Sequence, residues 1–302
     1  MNNKNRTLPV ALVLFAALML ALLLPLRLWQ QLRLVEQGTG FWADTDITVT
    51  LLYIGLGVLV AVPVAAALAL RKRVVLDLTR RRRRAMEGAA AALLAVAMAW
   101  DACMAFRFAL RLFTGVGIGD AFLDGLESQS TSPMAYYMRS GAMACVIEGV
   151  FGTLGALFFG ELAMGSLLPN RDIRLGRAMA LAPLVWAIGR ILRRFSRTIA
   201  YLRVSDLFLG LAMLVTLMLF LLFFAQLVGG YNGAGKESLL FAVGIPAAVL
   251  ALLCFVPRLA AYGLLGFAAP QDAVIEWCDP AAALFILAFI AGRVNLKKHK
   301  DI

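Results

Sequence analysis

Eight apolar stretches, most of them about as long as a bilayer is thick, constrain this chain more than any other feature. A helix needs about 20 apolar residues to cross the hydrocarbon core, and 62% of the residues here are hydrophobic. The pattern predicts an all-α, polytopic transmembrane helix bundle that forms a single integral membrane domain over residues 1–302. The predicted spans are Leu8–Leu26, Ile47–Leu70, Gly88–Phe108, Gly141–Leu168, Ala178–Leu192, Leu207–Val228, Leu239–Val256 and Ala273–Gly292.

The basic loops predict the orientation of this bundle. Residues Arg71–Arg84 hold eight Lys or Arg against one Asp, and Lys and Arg collect in cytoplasmic loops. Eight spans then place both termini in the cytoplasm. If Ala178–Leu192 lies on the membrane surface instead of crossing it, the number of spans falls to seven.

Charge and cysteine usage exclude several classes of partner. The net charge of +11 is explained by basic cytoplasmic loops next to anionic lipids, and no basic face with aromatic platforms indicates nucleic-acid binding. The four cysteines form no C-x-x-C pair and the only histidine is His299, so we expect no metal site and no cofactor. We expect a bacterial plasma-membrane protein, with a second membrane protein or a second copy as a possible partner.

Asp101 is the first charged residue that lipid cannot accommodate. A carboxylate at the centre of a membrane helix costs about 2.5–3.5 kcal/mol, and each strong hydrophobe returns only about 0.3–0.6 kcal/mol. The alanine-rich segment before Asp101 contains few strong hydrophobes. Asp101 is therefore predicted to face a partner side chain or a watery cavity.

Two glutamates interrupt the fourth span. Glu148 and Glu161 are 13 residues apart, so at least one of them must lie at membrane depth. Glycines between and before them predict close helix packing or bending. Two roles are left open for these acids. One is structural packing, and the other is the coupling of an ion to a movement of the helix, as in transporters.

Four arginines share one face of the fifth segment, because offsets of three, four and seven residues return to the same side of a helix. They are Arg190, Arg193, Arg194 and Arg197. One interpretation is a basic face against anionic lipid headgroups. The alternatives are an anion or carboxylate site facing the bundle, which we favour for Arg190, and a voltage-sensing helix.

Three further features have simpler explanations. Gly117–Asp120 matches the G-x-G-D pattern of intramembrane aspartyl proteases, yet Asp120 leads into a polar segment instead of a membrane helix. Arg107 is predicted to reach the outer interface. Asp279, which precedes Pro280, is predicted as a helix N-cap, and the role of Glu276 is left open.

The leading functional hypothesis is binding or transport of a small solute or lipid through a bundle lined by Asp101, Glu148, Glu161 and Arg190. It predicts a water-accessible cavity at these acids, and acids packed dry against arginines would remove its basis. The alternative is a non-catalytic accessory or structural subunit of a membrane complex. A third hypothesis is an intramembrane aspartyl-type enzyme that uses paired acids at Asp101. A non-enzymatic role is preferred because the G-x-G-D pattern lies outside a membrane helix and no nucleophile–histidine arrangement replaces it.

Overall fold

Long helices make up almost all of the computed structural model. It describes residues 7–35, 42, 46–71, 74–76, 84–114, 132, 137–138, 140–168, 177–195, 205–230, 236–266 and 275–296. The α-helices in this part of the chain are α1 (Thr7–Arg33), α2 (Ile47–Leu70), α3 (Arg84–Thr114), α4 (Ala142–Leu167), α5 (Ala182–Phe195), α6 (Ser205–Val228), α7 (Lys236–Arg258) and α8 (Cys278–Arg293). A 3-10 turn (Arg177–Leu181) precedes α5, a π-helical segment (Leu259–Leu264) follows α7, and two short strands are β1 (Val74–Leu76) and β2 (Val294–Leu296).

Six of these helices are long and apolar enough to cross a membrane: α1, α2, α3, α4, α6 and α7, the last together with the π-helical segment. This confirms the predicted helical, membrane-embedded class. The predicted spans at Ala178–Leu192 and Ala273–Gly292 correspond to the shorter helices α5 and α8, of 14 and 16 residues. The number of membrane crossings therefore stays a prediction.

Helices that follow one another in the chain run antiparallel. As a result, α1 begins and α8 ends at the same end of the bundle. This end carries β1 and β2 and is called the strand end. The opposite end is called the far end. The contacts that show these directions are Leu23 with Gly55 and Gln30 with Thr48 (α1, α2), Met98 with Gly155 and Phe106 with Gly149 (α3, α4), Pro183 with Gly155 and Gly189 with Glu148 (α5, α4), and Phe220 with Gly244 and Arg258 with Gly210 (α6, α7).

Two short strands and one ion pair, together called the clasp, hold the strand end together. β1 pairs with β2 in antiparallel register, with Val74 opposite Leu296. Beside the strands, the Arg293 guanidinium donates to both carboxylate oxygens of Glu87, at 2.7 Å from Nε and 3.0 Å from Nη2. A two-point contact of this kind is the strongest geometry an arginine and a carboxylate adopt. The clasp joins the start of α3 to the end of α8.

Phenylalanines fill the interior between the strand end and the middle of the bundle. Their rings meet edge-on or stacked at centroid distances of 5.0–6.4 Å, the range that favourable aromatic pairs adopt. They come from α4, α6 and α8, and are Phe158, Phe159, Phe220, Phe224, Phe285 and Phe289. This half of the bundle is therefore held together by apolar packing.

Glycines let α4 lie against both α3 and α5. A Cβ on Gly149 would lie 2.8 Å from the ring of Phe106 in α3, and a Cβ on Gly155 would lie 2.4 Å from the Met98 side chain. On the other side of α4, a Cβ on Gly189 of α5 would lie 3.0 Å from the backbone nitrogen of Glu148. The α4–α5 contact is therefore a close approach of two backbones, as small residues permit in membrane helices.

Replacing Gly189 by alanine is expected to destabilise the protein by about 1–3 kcal/mol, the usual cost of overpacking a site that cannot move. The matched control is Gly160→Ala in α4, where a Cβ would meet nothing within 4 Å and helix propensity predicts a neutral or slightly favourable change. Thermal unfolding in detergent micelles measures both. Equal stabilities of the two variants would contradict the close approach.

Candidate functional site

The short helix α5 brings its arginines into the bundle instead of presenting them to lipid. Arg190 is completely buried, with 0% of its surface exposed. The guanidinium lies over the Trp186 ring, 4.8 Å from its centroid, a cation–π arrangement one helical turn apart. A buried arginine stays ionised and needs carboxylates close to it.

Two acids at the start of α8 supply that charge. Arg190 Nη2 donates to Asp279 Oδ1 at 2.8 Å and also contacts Glu276. Glu276 and Asp279 are 5% and 1% exposed, so the pairs are closed to solvent. The contacts fasten α5 to α8.

The next two arginines of α5 extend the same network. Arg193 contacts Glu276 Oε1 at 2.7 Å through Nη2 and Glu148 Oε2 at 3.1 Å through Nε. Arg194 Nη2 lies 3.2 Å from Glu276 Oε2. Glu276 therefore interacts with three arginines and ties the last two turns of α5 together.

Asp101 and Glu148 join the network from α3 and α4. Asp101 Oδ2 accepts a hydrogen bond from Trp186 Nε1 at 2.9 Å, so the tryptophan that carries Arg190 on its ring also holds Asp101. Glu148 is completely buried and interacts electrostatically with both Asp101 and Arg190. The two acids extend the network across three neighbouring helices.

The positive and negative groups balance. Arg258, the last residue of α7, is 3% exposed and lies beside Gly210 together with Arg194. With this neighbour of Arg194 included, the region holds four arginines and four acidic side chains. The group is called the ion-pair cluster and consists of Asp101, Glu148, Arg190, Arg193, Arg194, Arg258, Glu276 and Asp279. Equal numbers of basic and acidic groups allow most of the buried charge to be compensated within the protein.

The ion-pair cluster lies toward the far end of the bundle. Glu148 is six residues, about 9 Å at 1.5 Å per residue, from the first residue of α4 at that end. Arg258 is the last residue of α7, and Glu276 directly precedes α8. The cluster therefore lies toward the far end of α4, α5, α7 and α8, next to the phenylalanine-filled half, and Asp101 joins it from the middle of α3, 13 residues before Thr114.

The structure brings together three of the four residues predicted to line a polar site. Asp101, Glu148 and Arg190 belong to the ion-pair cluster. Glu161 is half-buried and lies 13 residues farther along α4, about 20 Å away toward the strand end. The four predicted residues therefore do not converge on one place.

Arg193 and Arg194 were predicted to contact anionic lipid or a free anion, and the structure places both against acids of the same chain. Arg197, the third residue of that prediction, lies outside the described residues. Asp120 of the G-x-G-D pattern also lies outside them, so the interpretation of this pattern as part of a polar loop stays a prediction.

The role of α8 in the network was not predicted from the sequence. Asp279 was predicted as an N-cap, and this is wrong: α8 begins at Cys278, and no side-chain hydrogen bond caps it. Asp279 lies in the first turn and pairs with Arg190. The available signal was the presence of two acids three residues apart, Glu276 and Asp279, at the start of a predicted apolar span.

Most of the cluster is closed to solvent. A cavity of about 10 Å³, no larger than one water, lies below Trp186 and has an apolar lining that includes Met98, Phe159 and Pro183. Among the described residues, no three His, Cys, Asp or Glu side chains form a group that could hold a metal ion. The geometry is that of an internal salt-bridge network.

No family model, no curated protein and no solved structure matches this chain.

Breaking the Arg190–Asp279 pair from either side is expected to cost about 3–5 kcal/mol, because each single change leaves a buried charge without its partner. The variants are Arg190→Met and Asp279→Asn, with the double variant costing less than the sum of the two. Unfolding in detergent by a thermal or denaturant series measures the coupling. Glu161→Gln is the control outside the cluster, and additive losses in the double variant would contradict the pairing.

Proposed function

We propose that this chain is a non-catalytic structural or accessory component of a bacterial plasma-membrane assembly, and that its buried charges orient helices. The observation that carries the proposal is the closure of the cluster: Glu148, Glu276 and Asp279 are between 0% and 5% exposed and lie against arginines. A solute pathway through these acids requires water at the acids. A structural role requires only that the charges compensate one another.

We propose that the strand end faces the cytoplasm and that all eight helices cross the bilayer. The basic segment Arg71–Arg84 flanks β1, and the lysines of residues 297–300 follow β2, which supports this orientation by the positive-inside rule. The alternation of helix directions supports a crossing by α5 and by α8. The ion-pair cluster then lies in the outer half of the membrane.

The second helix supports a role within an assembly. In α2 only 22% of the apolar span is buried, against 78% in α7. Small residues recur every four positions along its exposed side, and small residues at this spacing let membrane helices approach closely. They are Gly57, Ala61, Ala65 and Ala69, and this set is called the α2 small face below.

A second candidate function is the binding or transport of a small solute at the cluster. It is favoured by two polar atoms of Arg190 that are buried without a hydrogen-bond partner among the described residues, Nε and Nη1. Such atoms are rare in native structures and call for a partner such as water or a ligand. A conformation that opens the cluster to water would supply one.

The native thiol of Cys278 distinguishes the two functions. Cys278 is buried and lies within the electrostatic reach of Asp101 and Arg190. In a variant that keeps Cys278 alone (Cys103→Ser, Cys145→Ala, Cys254→Ala), a structural cluster predicts no reaction with a membrane-impermeant maleimide until the protein is denatured. A site that opens to solvent predicts labelling in the folded protein, because thiol alkylation requires an accessible thiolate.

Labelling of folded protein in intact membranes would overturn the structural proposal. The sample denatured in detergent serves as the control for thiol integrity. A second control is a cysteine placed at exposed Met138, beyond the start of α4 at the far end, which reports whether the reagent reaches that side.

The α2 small face gives a test of assembly. Solubilised in mild detergent, the wild-type protein is expected to migrate as a species larger than the monomer, and Ala61→Leu with Ala65→Leu is expected to shift it to the monomer because the added volume blocks close helix approach. Val58→Leu with Val62→Leu is the matched control at exposed positions outside this set. Monomeric migration of the wild type would contradict an assembly role.

A further inference from the structure

Two arginines of α3 remain on the outside of the bundle while those of α5 are drawn inside. Arg107 and Arg111 are both exposed and are four residues apart, so their side chains leave the same face of the helix. Among the described residues, neither forms an ion pair or a hydrogen bond. This exposed pair is the clearest unmatched positive charge on the apolar surface at the far end.

Their depth places the guanidinium groups at a membrane interface. Arg111 is three residues and Arg107 seven residues from Thr114, where α3 ends. These separations correspond to about 4.5 and 10.5 Å along the helix axis. Trp29 and Trp277, 45% and 53% exposed, lie at the same end, as interfacial tryptophans do. A long arginine side chain one or two turns below a helix end reaches the headgroup layer.

The same face continues toward the bilayer centre as an apolar surface. Trp100 is 56% exposed and Met104 is 37% exposed; seven and three residues before Arg107, they lie below it on the same side of the helix. The face therefore has a charged end at headgroup depth and an apolar stretch at acyl-chain depth. That is the profile of a phospholipid.

We propose that Arg107 and Arg111 bind the phosphate of an anionic phospholipid, one of whose acyl chains lies along Trp100 and Met104. The guanidinium fork matches a phosphate in two-point geometry, and charge assistance makes such contacts about twice as strong as neutral ones. Because the exposed pair carries two positive charges without a nearby described acid, a lipid with net negative charge fits better than a zwitterionic one. The lipid-phosphate contact is thus assigned to α3, since the arginines Arg193 and Arg194 are occupied by acids.

The test is lipid retention by the full-length protein. Protein in mild detergent is titrated with phosphatidylglycerol, and bound lipid is counted by native mass spectrometry. Arg107→Gln with Arg111→Gln is expected to weaken retention of one lipid about tenfold, the equivalent of 1.4 kcal/mol. Arg107→Lys with Arg111→Lys, which keeps the charge and loses the fork, is expected to fall in between.

The controls separate this site from general charge and from a soluble anion. Arg33→Gln removes an exposed arginine of α1 at the same end of the bundle and is expected to leave lipid retention unchanged. The glutamine double variant is expected to have the thermal stability of the wild type in lipid-free detergent. Phosphatidylcholine is expected to compete poorly and inorganic phosphate not to displace the lipid. Equal retention by wild type and the glutamine double variant, or displacement by phosphate alone, would overturn the proposal.

Discussion

The pairing of Arg190 with the acids of α8 is the interaction on which the far end of this bundle depends. Removing a guanidinium from water without carboxylates costs several kcal/mol, and the compensation requires good geometry on every side. That requirement determines where α5 lies, because Arg190 must face Glu276 and Asp279 while its Trp186 platform holds Asp101. The glycine contact at Gly189 then becomes necessary, since only a close approach to α4 brings Glu148 within reach of Arg193.

Different interactions hold the two halves of the bundle together: apolar packing in one and hydrogen-bonded ion pairs in the other. The strand half packs phenylalanines from three helices and tolerates small shifts, because dispersion is not directional. The far half depends on hydrogen-bonded charges whose energy falls steeply when geometry is lost. The helix α4, which crosses both halves, is therefore held by apolar packing at one end and by charge at the other, whereas α8 has ion pairs at both ends, with Arg293 on Glu87 at the strand end.

The apolar helices could be predicted closely because lipid thickness and backbone hydrogen bonding leave few alternatives. The predicted span Ile47–Leu70 coincides with α2, and Gly141–Leu168 exceeds α4 by one residue at each end. The inward direction of Asp101, and of at least one of Glu148 and Glu161, also followed from insertion cost.

The partners of these charges could not be read in the same way, because the choice depends on contacts between residues far apart in the chain. Arg190 and Asp279 are 89 residues apart, and helical periodicity says nothing about which faces meet. The separation of Glu161 from Glu148 was accessible: 13 residues at 100° per residue turn the helix by about 220°, so the two acids point to different sides. That rotation argues against one shared lining.

The clasp at the strand end has a consequence for biosynthesis. Glu87 and Arg293 are 206 residues apart, which at about 5–20 residues per second corresponds to roughly 10 to 40 seconds of translation. The same late helix, α8, also carries the acids that neutralise α5. Until α8 has entered the membrane, the nascent protein therefore has an unpaired strand at one end and uncompensated arginines at the other, and the arrival of one helix completes both.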